Sequence, residues 1–177
     1  MPNQKKSQLS SSFRDPSGFL YSQEGSLYRQ INKIYENNYN LLKDSNLYKR
    51  LVDDSLLIPH IEIEQTLVDS NDSVFKVIKP EIVPFISYPY EWSFSMLKDA
   101  ALATLYIQKK ALSKGMSLKD ASAFNIQFYK SKPIMIDTLS FESYKEGTPW
   151  VAYQQFCRHF LFPLLILSKT SIELWNL

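Results

Sequence analysis

Asp120, Asn125 and Asp137 place the tightest constraint on what this chain folds into. Asp120 and Asn125 lie five positions apart in Leu118-Lys119-Asp120-Ala121-Ser122-Ala123-Phe124-Asn125-Ile126. Asp137 closes the apolar run Ile134-Met135-Ile136, and Tyr129-Lys130-Ser131-Lys132-Pro133 before it has the composition of a turn. The pattern predicts a short hairpin, residues 125–128 against 134–136, that folds Asp137 back toward the loop carrying Asp120 and Asn125. Glycine narrows the choice further. Gly18, Gly25, Gly115 and Gly147 are the only four, and none belongs to a cluster following a strand. The dinucleotide and S-adenosylmethionine folds that bring backbone against a ligand through Gly-rich turns are thereby disfavoured.

The remainder reads as short strands alternating with helices. After a polar, Ser-rich tail at residues 1–12, Gly18-Phe19-Leu20-Tyr21 and Ser26-Leu27-Tyr28-Arg29 flank Gln23-Glu24-Gly25, which predicts a β-hairpin. Ile31, Ile34, Tyr35, Asn38, Leu41 and Leu42 recur at three- and four-residue steps, the spacing of one helix face. Residues 43–46 interrupt it, and a second helix at 47–54 ends before Pro59. Ile61-Glu62-Ile63-Glu64 and residues 74–79 predict two strands around the turn Asp69-Ser70-Asn71-Asp72, and Pro80, Pro84 and Pro89 punctuate an extended connection. Residues 92–113 read as a long helix capped by Ser93, with Met96, Leu97, Ala100, Ala101, Leu105 and Leu112 on its apolar face and a stop at Gly115. Residues 151–168 predict a final apolar helix, bent or broken near Pro163.

Composition bounds the partners. With 177 residues, of which 45% are hydrophobic and 14% aromatic, the chain can bury a core of its own. Twenty Lys and Arg against 18 Asp and Glu give a net charge of +2, so neither nucleic acid nor an anionic membrane is expected as partner. The single cysteine, Cys157, excludes an intrachain disulfide and fits a reducing compartment, so a cytoplasmic location is expected. No apolar run follows Lys5-Lys6, so no secretory signal is expected. The most apolar stretch, residues 160–167, falls well short of the roughly 20 residues a membrane helix needs, and no membrane span is expected.

Phosphoryl transfer from a nucleotide asks a protein for a carboxylate beside the acceptor hydroxyl and for side-chain oxygens that hold Mg²⁺ against the phosphates. Asp120 suits the first role, Asn125 and Asp137 the second. The alternative for Asp120 and Asn125 is a helix cap or Asx-turn after Gly115. The stretch from Asp120 to Asp137 resembles the catalytic loop and metal-binding Asp of the protein-kinase-like superfamily, its aminoglycoside-phosphotransferase branch in particular. That resemblance implies an α+β, protein-kinase-like fold: a small β-containing lobe at 13–83, a hinge-like connector at 84–91, and a mainly helical lobe at 92–177, incomplete at its C-terminal end. It also implies a nucleotide, ATP, with Mg²⁺ as cofactor, Asp120 as the catalytic carboxylate, and Asn125 and Asp137 as metal ligands. Arg29, Lys76 and Lys79 are the candidate phosphate-facing cations, and Glu36 is the candidate ion-pair partner for one of them. Lys119 precedes Asp120 where the superfamily has His-Arg or His-Gly, and Thr138-Leu139 follows Asp137 where it has Phe-Gly.

A second resemblance is longer. Pro84-Phe85-Ile86-Ser87-Tyr88-Pro89-Tyr90-Glu91-Trp92, Leu118-Lys119-Asp120-Ala121-Ser122, Ile136-Asp137-Thr138-Leu139-Ser140-Phe141-Glu142 and Gln155-Phe156-Cys157-Arg158-His159-Phe160 are similar to the N-terminal region of bacterial class I SAM-dependent methyltransferase-type proteins, some of them nodulation-related. The resemblance implies a methyltransferase domain further along the polypeptide, as a downstream domain or partner, and S-adenosylmethionine is not expected to bind this chain. Two functions stand side by side: a kinase-like nucleotide- and Mg²⁺-binding module, or a noncatalytic pseudokinase-like scaffold or substrate-recruiting region. Leu174-Trp175-Asn176-Leu177 is a candidate docking surface under the second. Cys157 and His159 read as packing and interface residues. Trp92, Trp150, Tyr88 and Tyr90 read as core or as stacking partners for an adenine.

Overall fold

A computed structural model describes residues 7–8, 15–63 and 73–169. Most of the polar tail, Glu64, the turn at Asp69-Ser70-Asn71-Asp72 and the docking segment Leu174-Trp175-Asn176-Leu177 lie outside the described residues. The chain divides into two compact units, Met1–Asn40 with Pro59–Ile82, and Leu41–Ile58 with Val83–Leu177.

The first unit is built on an antiparallel five-stranded sheet in the order β1-β2-β3-β5-β4. Its strands are β1 (Ser7–Gln8), β2 (Gly18–Gln23), β3 (Ser26–Asn32), β4 (His60–Ile63) and β5 (Val74–Pro80). The predicted β2–β3 hairpin closes through Glu24 and Gly25, both at positive φ (52° and 71°), the two-residue turn whose twist matches that of the strands. Tyr21, Val74 and Val77 are buried on this sheet, with Phe19, Tyr28 and Ile63 packed against them. Ile31 does not open the first helix, as its spacing with Ile34 and Tyr35 predicts. It sits in β3 opposite Lys76, fully buried, while Ile34 is 74% exposed. The three- and four-residue spacing here spans a strand, a bulge at Ile31/Asn32 and a 3₁₀ turn (Lys33–Tyr35). Helix α1 (Glu36–Asp44) follows, and the boundary between the units falls within it.

Residues 41–58 belong with the second unit rather than with the contiguous 13–83 segment expected from sequence. The reason is burial: Leu42, Leu47, Leu51 and Leu57, around helix α2 (Leu47–Asp53), share one core with Leu97, Ile107, Met116, Leu118, Ile126, Met135, Phe141 and Phe160. Helix α3 (Phe94–Leu112) is capped by Ser93, whose Oγ accepts the Met96 amide at 3.3 Å. Its buried stripe is Leu97, Ala100, Ala101, Thr104, Ile107, Gln108 and Ala111. Leu105 and Leu112, a heptad apart, are on the exposed side instead of the predicted apolar face, because 100° per residue carries both away from that stripe. The connector before α3 is pinned at Ser87, whose N–H and carbonyl bond the Gln127 side chain and whose hydroxyl accepts the Trp92 indole N–H at 2.8 Å.

Two small ladders complete the unit: β6 (Met116–Leu118) with β9 (Phe141–Ser143), and the predicted hairpin β7 (Ile126–Tyr129) with β8 (Lys132–Met135). Lys130 and Ser131 form the hairpin tip at φ 50° and 62°. The C-terminal apolar stretch runs as α4 (Tyr153–Phe156), a π-helical segment (Cys157–Leu161) and α5 (Phe162–Lys169). Pro163 has no N–H and crowds the carbonyl four residues before it, and the widened turn absorbs this: the Phe162 N–H reaches back five residues to the Cys157 carbonyl. No helix among the described residues is long and apolar enough to cross a membrane.

Candidate functional site

The β6–β9 ladder pairs Leu118 with Phe141, so the chain entering the Asp120 loop and the chain leaving the Asp137 turn run side by side. Ser140, fully buried, joins them. Its carbonyl accepts the Lys119 N–H at 2.8 Å, its hydroxyl donates to Asp137 Oδ2 at 2.9 Å, and the same hydroxyl accepts from Asn125 Nδ2 at 3.2 Å. The Ile136 N–H also bonds the Asn125 carbonyl at 2.8 Å. Asn125 and Asp137 therefore converge on one atom. Asp120 is tied to them less directly, through its neighbour Lys119, whose N–H bonds the Ser140 carbonyl, and through Ser122, whose N–H it accepts and whose carbonyl accepts the Asn125 N–H at 3.1 Å.

Both aspartates also make the Asx-type bonds expected of loop carboxylates. Asp120 Oδ1 accepts the Ser122 N–H at 2.9 Å, and Asp137 Oδ1 accepts the Leu139 N–H at 2.9 Å, capping the 3₁₀ turn Thr138–Ser140. The Asn125 amide turns its nitrogen to Ser140, which leaves Oδ1 as the oxygen it can offer a cation. Among the described residues, no group of three His, Cys, Asp or Glu is placed to hold a metal ion by itself.

The Asp120 loop is held from behind by the C-terminal helical stretch. The Ala121 N–H donates to Gln155 Oε1 at 2.7 Å, and the Ala123 N–H donates to His159 Nδ1 at 3.2 Å, with the Ser122 hydroxyl equally close to that nitrogen. Burial pushes the His159 pKa down, the Asp120 carboxylate opposes this, and the neighbouring Arg158 adds to the lowering. Trp150 donates its indole N–H to the Leu118 carbonyl at 2.8 Å, just before the loop. Of the residues read as packing or interface groups, Cys157 is buried and His159 braces the loop. Trp92 is core, whereas Tyr88 and Tyr90 are exposed and stack on each other, 5.3 Å between ring centres. Ser140, Gln155 and His159, which hold these loops, are not among the site residues expected from sequence. Gln155 and His159 lie four apart on one side of the helical stretch, but Gln154 and Arg158 beside them have the same spacing, so the pattern alone does not single them out.

The candidate cations are all in the first unit. Cross-strand register sets Arg29 opposite Ile78 and Ile31 opposite Lys76, which puts Arg29 and Lys76 on one face of the sheet. Lys79 is on the other face, over the Tyr28 ring and 3.2 Å from Ser26 Oγ. Lys76 is ion-paired with Glu62, and buried Arg29 lies 4.0 Å from Asp15. Glu36 opens α1 and forms no ion pair with Arg29, Lys76 or Lys79. One face of the sheet thus carries two of the three cations, each beside a carboxylate.

No family model matches this chain. It is 36% identical over 165 residues to the nodulation protein NoeA of Rhizobium meliloti (strain 1021), an overlap of 93% of this chain and 34% of that protein. The chain thus spans about a third of the length of that relative. Its structure is similar to that of vaccinia related kinase 3, with a TM-score of 0.50 at 15% identity, over 86% of this chain and 56% of that one. The fold is α+β and protein-kinase-like.

Proposed function

We propose that this chain is a nucleotide-binding, kinase-like region of a NoeA-type nodulation protein, in which Asn125 and Asp137 hold Mg²⁺ and Asp120 orients a hydroxyl acceptor. The observation that carries this reading is the convergence of Asn125 and Asp137 on the Ser140 hydroxyl. A carboxylate and an amide oxygen make the hard donor set that suits Mg²⁺, which takes one or two protein side chains and fills its shell with water and phosphate oxygens. When bound, the ion would neutralise phosphate charge. Asp120, beside this pair on its own loop, is the carboxylate left to accept a hydroxyl proton. Methyl transfer belongs, in this reading, to a part of such proteins outside this chain, since the four separated glycines supply no cradle for S-adenosylmethionine. The single buried thiol of Cys157 favours a cytoplasmic setting.

A noncatalytic, scaffolding reading draws on a different observation: Lys76 and Arg29 already have carboxylates beside them in Glu62 and Asp15, and Lys119 occupies the place before Asp120. Melting the protein with millimolar ATP or GTP, with and without Mg²⁺, separates the two. Ligand at a hundred times its Kd stabilises the native state by about 2.7 kcal/mol. The nucleotide-binding reading requires a rise in Tm that needs Mg²⁺ and disappears in Asp137→Ala. An unchanged Tm with both nucleotides leaves the scaffold.

A further inference from the structure

We propose that Ser140 is the positioning residue of this site: its one hydroxyl fixes Asn125 and Asp137 relative to each other and so sets the affinity for the divalent cation. The inference rests on the Mg²⁺-nucleotide reading above and concerns a residue that touches neither metal nor nucleotide.

The hydrogen-bonding capacity of a serine explains the arrangement. A hydroxyl has a single donor and two acceptor lone pairs. Ser140 gives its donor to Asp137 Oδ2 and takes the Asn125 amide N–H on a lone pair. The first bond fixes the Asp137 carboxylate, already held at its other oxygen by Leu139. The second fixes which way the Asn125 amide faces, because only its nitrogen can donate to the hydroxyl. The oxygens offered to a cation are therefore set by one buried atom. That atom is itself immobilised: the Ser140 carbonyl is bonded to Lys119, and the next residue, Phe141, enters β9 opposite Leu118. Groups behind metal ligands that orient them in this way typically contribute about 10- to 100-fold to metal affinity.

The test is electron paramagnetic resonance titration of Mn²⁺, in the presence of ATP, into the wild-type chain, S140A, N125A and the S140A/N125A pair. The expected result is a loss of about 10- to 100-fold in Mn²⁺ affinity in S140A, and a markedly smaller further loss when S140A is added to N125A, because one route of its action is already gone. A general loosening of the fold would lower affinity by the same factor in both backgrounds. Unchanged affinity in S140A, or losses that multiply independently, overturns the role of Ser140 while leaving the nucleotide site standing. Absence of Mn²⁺ binding by the wild type overturns the reading beneath it as well. Should S140A fail to fold, the wild-type chain answers by NMR. The Asn125 side-chain NH₂ resonances must be protected from solvent exchange and must shift when Mg²⁺ and ATP are added, and resonances that exchange freely or stay unmoved overturn the proposal.

Discussion

His159 Nδ1 lies 3.2 Å from the Oγ of Ser122 and accepts the N–H of Ala123 at the same distance, so a side chain 36 residues along the chain from Ala123 holds the loop of Asp120. Accepting at Nδ1 requires the neutral ring with its proton on Nε2. Protonation would turn that acceptor into a donor, which breaks the bond from the Ala123 N–H and leaves only the Ser122 hydroxyl able to accept from the ring.

The pH dependence of stability follows. In the folded chain the His159 pKa lies below its ordinary value of 6.5, chiefly from burial, helped by Arg158 and opposed by Asp120. The unfolded chain therefore binds the proton first as pH falls, and stability rises with pH across that interval. The contribution is complete above the unfolded value and is lost progressively as pH falls below it toward the folded one. Urea titrations at pH 7.5 and 5.5 should give a lower midpoint at pH 5.5, and H159Q should flatten the difference. An equal difference in H159Q removes His159 as its source.

Gln155→Leu leaves the buried Ala121 N–H without its 2.7 Å acceptor. An unsatisfied buried donor costs about 1–3 kcal/mol, so the variant should unfold at a correspondingly lower denaturant concentration with an unchanged m value. A loss confined to a few tenths of a kcal/mol would mean that water replaces Gln155.

The two faces of α3 should respond oppositely to truncation. Leu97→Ala removes a fully buried side chain from the main core and should cost about 2–5 kcal/mol. Leu105→Ala, at a position 42% exposed, should stay within about 0.5 kcal/mol. Equal losses would contradict the placement of the buried stripe.

Ser131 holds φ at 62° without being a glycine. Ser131→Gly should raise stability by roughly 0.5–1 kcal/mol, since the left-handed conformation costs an L-residue about that or more. Equilibrium denaturation of this one variant is sufficient to check it.

These variants also mark how far the sequence could be read. Both hairpins were legible because their signals are local: Glu24-Gly25 and Lys130-Ser131 sit between apolar runs of the right length. The start and stop of α3 were legible for the same reason, through Ser93 and Gly115. The β6–β9 ladder was not, since three-residue strands carry too little alternation and Leu118 meets Phe141 only through the tertiary fold. Burial of Leu105 was misassigned because leucine alone does not say which side of a long helix faces inward. At the site, the spacing of Asp120, Asn125 and Asp137 located the loops, but not the groups that hold them. Gln155 and His159 act across more than thirty residues, and a π-helical turn helps set where His159 falls. Ser140 gave no signal at all until the two side chains it joins were seen together.

The tip of β7 and β8 has one more consequence. Lys130 and Ser131 are exposed there, and the peptide bond between them is a tryptic site at the apex of a ladder closed on both sides. A single nick at this bond puts Asn125 and Asp137 on separate peptides. Each peptide carries one strand of the β7–β8 ladder and one of the β6–β9 ladder, and the Asn125–Ser140 hydrogen bond spans the cut. Chain continuity, which brought the two side chains together in the sequence, is not what keeps them together once folded.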